Sequence, residues 1–102
     1  MSNTKEGKIQ SEVLTFLNNI PESRFYNLHG GAIEGKGKPD VIGAHKGTPY
    51  AFELKTSVGR LDPAQIKELK LLKRAGYKTY TCRSLQDVYN AIFKGDMTNA
   101  TT

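Results

Sequence analysis

Asp40 follows Pro39, and thirteen positions later the chain reads Glu53-Leu54-Lys55. An acid, then an acid and an amine two residues apart, do chemistry only if the fold brings them together. The stretch YAFELK, residues 50–55, has the alternation of a strand. Tyr50, Phe52 and Leu54 share an apolar face, and Ala51, Glu53 and Lys55 share the other. Glu53 and Lys55 then stand roughly 7 Å apart along the strand, pointing the same way. Residues 40–44 (DVIGA) read as a second strand, joined to the first by a hairpin turn around Gly47. A turn centred between Lys46 and Gly47 pairs residues whose numbers sum to 93, whether its loop is 46–47 or 45–48. That sets Asp40 opposite Glu53, with Cβ atoms roughly 5 Å apart, whereas a sum of 94 sends Asp40 to the other face. Two converging carboxylates repel unless a proton or cation resolves them. An all-oxygen donor set favours Mg²⁺ or Mn²⁺.

The flanking elements have legible ends. Residues 5–20 form an amphipathic helix, with Ile9, Val13, Phe16, Leu17 and Ile20 on one stripe and Pro21 as terminator. A short strand at 25–28 precedes a segment with four glycines and two lysines among residues 29–38. A second helix opens on the N-cap Asp62 and Pro63 and closes at Gly76, with Ile66, Leu69, Leu72 and Ala75 as its apolar stripe. A strand at 77–83 and a third helix from Ser84 to Gly95 complete the pattern. The fold class expected is α/β, a small mixed β-sheet flanked by helices in the order α-β-β-β-α-β-α. Residues 1–95 read as one domain and 96–102 as a flexible polar tail.

Composition narrows the function classes. With 37% hydrophobic and 25% charged residues, the 102-residue chain is of ordinary globular type. No apolar run reaches the ~20 residues of a membrane span, and MSNTKEGKIQ holds no signal-peptide core. One cysteine, Cys82, excludes a disulfide framework and fits a cytoplasmic location. A net charge of +5 suits a polyanionic partner such as nucleic acid.

Pro-Asp followed by Glu-x-Lys on the adjoining strand resembles the PD-(D/E)xK nuclease superfamily. The surrounding pattern is more specific. Glu6-Gly7-Lys8-Ile9-Gln10 opens the first helix, Leu61-Asp62-Pro63-Ala64-Gln65 the second, Lys73-Arg74-Ala75-Gly76 leads into the last strand, and Ser84-Leu85-Gln86-Asp87-Val88 opens the last helix. Together these resemble the stand-alone, phage-type VRR-NUC domain, which is similar to Holliday-junction resolvases and has a restriction-endonuclease-like fold. The resemblance implies a Mg²⁺- or Mn²⁺-dependent endonuclease acting on DNA, as a homodimer on four-way junctions, with a 5′-phosphate and a 3′-hydroxyl as product ends. It implies Asp40 and Glu53 as metal-binding carboxylates, with the backbone carbonyl of Leu54 as a further ligand. It also implies Lys55 as the group that orients the attacking water and offsets phosphate charge. Gln65 matches the family's helix glutamine and Glu6 its first-helix acid. Where related resolvases tend to carry a serine-glycine segment, this chain has His29-Gly30-Gly31.

Each residue also has a plainer role. Glu53 and Lys55 form a surface ion pair on many strands. Gln65 stands at capping-box spacing from Asp62, so cap and site roles are both open. Glu6 suits a helix first turn, with Glu12 in reserve. Gly30, Gly31, Lys36 and Lys38 are expected to contact DNA phosphate ahead of the site. Lys67, Lys70, Lys73 and Arg74 make either a DNA-facing stripe or a solvated helix face. The rival functions are a flap, nick or duplex nuclease and a non-catalytic nucleic-acid-binding module.

Overall fold

The structure, a computed structural model, describes residues 5–28 and 37–95, with side chains from Lys8 onward. Expectations on Gly30, Gly31, Lys36, the Glu6 side chain and the tail therefore lie outside the described residues. Its elements run α1 (Lys5–Asn18), β1 (Ser23–Asn27), β2 (Val41–His45), β3 (Thr48–Leu54), α2 (Pro63–Arg74), β4 (Lys78–Cys82) and α3 (Leu85–Phe93). The four strands form one mixed sheet in the order β1-β2-β3-β4. β1, β2 and β3 are antiparallel neighbours, and β4 lies parallel to β3. Among the described residues, no helix is long and apolar enough to cross a membrane.

The hairpin has the expected register. His45 faces Thr48 and Val41 faces Phe52, so the loop is the two-residue Lys46–Gly47 form. Both loop residues have positive φ, 51° and 82°, the backbone that a tight antiparallel turn demands and that glycine adopts without cost.

One face of the sheet is strongly aromatic. Phe25, Tyr50, Phe52 and Tyr80 line up across the strands with ring centroids 5.8–6.4 Å apart. Val13 and Leu17 of α1 and Val88, Ala91 and Ile92 of α3 close over them. The opposite face, expected to carry Ala51, Glu53 and Lys55, is buried at Ala51 and Glu53 and at their β4 neighbours Thr79 and Thr81. α2 covers this face. Its inward positions are Gln65, Leu69 and Leu72 rather than the expected Ile66-Leu69-Leu72-Ala75 stripe. A strict three-residue repeat drifts about 60° per step around a helix, so Ile66 and Ala75 end on opposite sides, and Ala75 is exposed.

Both edges of β1 are occupied. Along its inner edge it pairs with β2. On the outer edge the Asn18 carboxamide donates Nδ2–H to the Phe25 carbonyl at 3.1 Å and accepts the Phe25 N–H at 2.8 Å.

Cys82 is a fully buried core residue. Burial, reinforced by the negative charge of Asp87, pushes its thiol far above the ordinary value. Burial also raises Tyr50. The unfolded chain releases the Cys82 proton near pH ~8.5 and the folded chain retains it. Stability is therefore intact below that pH and falls above it, by up to about 1.4 kcal/mol per pH unit from Cys82. Urea midpoints at pH 7, 9 and 10.5 are expected to decline over the last two, less steeply in Cys82→Ala. A profile equally steep in both proteins would remove the thiol as the cause.

Candidate active site

β3 ends at Leu54, and the groups of interest gather at that end. Glu53 is 2% exposed, a carboxylate inside the protein. Such a group persists only when charge and hydrogen bonds answer it. Its Oε2 accepts from Gln65 Nε2 at 2.7 Å and lies 3.7 Å from Lys55 Nζ. The Lys55 side chain is itself only 14% exposed, so this is not the solvated pair of an edge strand. Acid and amine reach the same spot because residues 53 and 55 share a face of the extended chain.

Asp40 departs from its expected place. The β2–β3 ladder stops at Val41, and Asp40 bends out of phase, its N–H donating to the Phe52 carbonyl at 3.1 Å. Its carboxylate then turns over the strand end, where Oδ2 accepts the Leu54 N–H at 2.8 Å. A hydrogen bond to a charged acceptor of this kind contributes about 1.5–3 kcal/mol. An extended residue sends its N–H and C=O to the same side. The Leu54 carbonyl thus also faces the Asp40 side, beyond the last rung of β2.

Gln65 makes the cap that its spacing allows and also reaches Glu53. Its backbone N–H donates to Asp62 Oδ1 and its Oε1 accepts the Asp62 N–H, each at 2.9 Å, which closes a capping box at the start of α2. The remaining Nε2 points at Glu53. One end of the amide is held by the helix cap, so the other end has a fixed direction.

Two further residues frame the site without having been singled out in the sequence. Gly37 has φ +84° and lies directly against the first turn of α2, where an added Cβ would overlap the Ala64 carbonyl and approach Gln65 N within 2.9 Å. Arg83 Nη1 donates to the carbonyls of Thr56 at 2.7 Å and Gly59 at 2.5 Å, anchoring the segment that follows Lys55. Glycine at Gly37 was readable only as loop punctuation, and no local pattern marks Arg83. Lys38, expected to face phosphate, forms an ion pair with Glu68 of α2 at 3.6 Å. Glu12 is exposed beside Phe16 and Leu85, on the side of the sheet away from Gln65.

The donors gathered here are carboxylate and carbonyl oxygens. They suit a hard divalent cation completed by water and substrate oxygens, and do not suit a thiolate or imidazole metal. Among the described residues, no group of three or more His, Cys, Asp or Glu stands ready to hold an ion alone.

The sequence matches no family model and no curated protein. The fold is similar to that of two solved structures. One is a VRR_NUC domain, with a TM-score of 0.71 and 22% identity over 87% of this chain and 95% of that one. The other is Hjc, a Holliday junction resolvase from the hyperthermophilic archaeon Archaeoglobus fulgidus, with a TM-score of 0.60 and 17% identity over 76% of this chain and 67% of that one. The likeness is one of fold: a restriction-endonuclease-like α/β arrangement with the element order α-β-β-β-α-β-α.

Proposed function

We propose that this chain is a Mg²⁺- or Mn²⁺-dependent endonuclease that hydrolyses DNA phosphodiester bonds, selects four-way junctions and works as a cytoplasmic homodimer. The observation that carries the reading is the buried Glu53 carboxylate, held by Gln65 and Lys55 at the strand end where Asp40 is pinned to the Leu54 amide. The fold likeness to a Holliday junction resolvase supports the substrate class.

In this reading Asp40, Glu53 and the Leu54 carbonyl hold the ion, and Glu6 adds a further acid from α1. A bound divalent ion supplies positive charge at the scissile phosphate and makes water a nucleophile at neutral pH. Lys55 stabilises negative charge developing on the phosphate oxygens. Gln65 would hold the Glu53 carboxylate in place for the ion through its Nε2 hydrogen bond. A two-fold pair of chains presents two sites to a substrate that has its own two-fold axis.

The test is cleavage of a labelled four-way junction, beside linear duplex and flap controls, in Mg²⁺, Mn²⁺ or EDTA. Paired symmetric cuts that need metal and vanish in folded Asp40→Ala are the expected result. Equal cutting of duplex or flap would replace junction selectivity with a simpler nuclease. Tight binding with no cut under any metal would make the chain a binding module.

A further inference from the structure

α2 has a second face that the site does not use. At about 100° per residue, Gln65, Leu69 and Leu72 point to the sheet, and Lys67, Lys70 and Arg74 point away from it. Lys73 flanks them, and all four cations are exposed. With Ile66 and Leu71 between them they line a shallow groove along the helix. Among the described residues that line this groove, none is acidic. The acid within α2, Glu68, lies toward the sheet side and is paired with Lys38. These four cations nearly equal the whole net excess of +5.

The helix dipole accounts for part of this at most. It favours cations in the last turn, where Lys73 and Arg74 stand. It gives no reason for Lys67 and Lys70, which are further forward. Between Lys67 and Arg74 the axis advances roughly 10 Å at 1.5 Å per residue. One DNA strand carries a phosphate about every 3.4 Å along its duplex axis and about twice that along the strand itself, so the face, with the reach of its long side chains, meets about two to three phosphates. The same helix carries Gln65, beside Glu53, in its first turn, which makes the face continuous with the site end of the molecule. An apolar floor does not oppose this, because lysine stems pack along apolar surface while their ammonium groups reach outward. A second copy of the chain is a poor occupant, since two-fold pairing sets like charge against like charge.

We infer that the outer face of α2 is the track for the phosphate backbone of a nucleic-acid arm leaving the site, with Lys67, Lys70 and Arg74 as its principal contacts. This rests on the nucleic-acid reading above.

The experiment compares equilibrium binding of a labelled DNA duplex and junction across a salt series, in EDTA so that nothing is cut. The proteins are the wild type, the triple variant Lys67→Gln/Lys70→Gln/Arg74→Gln, and a control triple Lys46→Gln/Lys78→Gln/Lys94→Gln, with circular dichroism of each. All six positions are exposed and glutamine is a good helix former, so the folds are expected to hold. Each lost phosphate contact lowers the slope of log K against log salt by about 0.9. The α2 triple is expected to lose about 2.7 from the slope and the control to lose little. An unchanged slope in the α2 triple, or an equal fall in the control, overturns the assignment while leaving the nuclease reading standing. Competition by polyglutamate that disappears in the α2 triple, with DNA binding unaltered, would assign the face to an acidic protein instead. Failure of the wild type to bind DNA at low salt, both in EDTA and with Ca²⁺ in its place, overturns this inference and the nuclease reading together.

Discussion

Gly37→Ala is expected to cost roughly 2–5 kcal/mol of stability and to uncouple Gln65 from Glu53, whereas Gly47→Ala costs only about 1–2 kcal/mol and leaves the site alone. The two glycines make a matched pair, with φ of +84° and +82°, so a methyl group meets the same backbone penalty at each. They differ in surroundings. Nothing lies within 4 Å of an added Cβ at Gly47, whereas at Gly37 it runs into the backbone of Ala64 and Gln65. Backbone yields less readily than a side-chain tip. The first turn of α2 must therefore back away, taking the capping box and the Gln65 amide with it. Urea unfolding gives the stabilities, and the Gln65 side-chain amide resonance reports the Glu53 contact independently of catalysis. Equal losses in the two variants, with the Gln65 resonance unmoved, would show that the contact at Gly37 positions nothing.

Lys55→Ala is expected to lower cleavage by about 10²–10³-fold, the usual loss when one stabilising donor is removed from a reacting centre. Its second effect is on stability. Removing the amine takes away the cation that answers the buried Glu53 carboxylate at 3.7 Å, and breaking comparable buried pairs costs about 3–5 kcal/mol. The same change leaves the carboxylates more receptive to a cation. Mg²⁺ is therefore expected to raise the melting temperature of Lys55→Ala by more than it raises that of the wild type, while activity stays lost. Lys55→Met keeps the stem packing and isolates the charge. A Mg²⁺ shift no larger in either variant than in the wild type would show that Lys55 does not balance Glu53.

Short-range features were legible in the residues. Gly47 after a lysine marked the centre of the turn, for a loop of either 46–47 or 45–48, and that centre defined the register of β2 on β3 down to the last rung. Asp62 and Pro63 marked the start of α2 for the same local reasons. What escaped depends on packing between distant segments. Nothing in YAFELK says that a helix further along the chain will bury its acidic face, so Glu53 and Lys55 taken by themselves read as a surface pair. Asp40 was placed by ladder geometry, but its carboxylate has a better partner in the Leu54 amide, and the chain bends to reach it. Gln65 presented cap and site as alternatives because spacing cannot show that the two uses take opposite ends of one amide. Gly37 had no legible partner until α2 lay against it.

The Asn18 carboxamide on Phe25 sets how the protein can meet its own kind. A border strand with bare amides and carbonyls is a template on which another chain can crystallise. Here the middle rung of that border is already taken by a side chain that imitates a neighbouring peptide group. Copies of the protein cannot join their sheets into a continuous ribbon through β1 without first evicting Asn18. Sheet-to-sheet growth through this border is thus opposed by a side chain built into the fold.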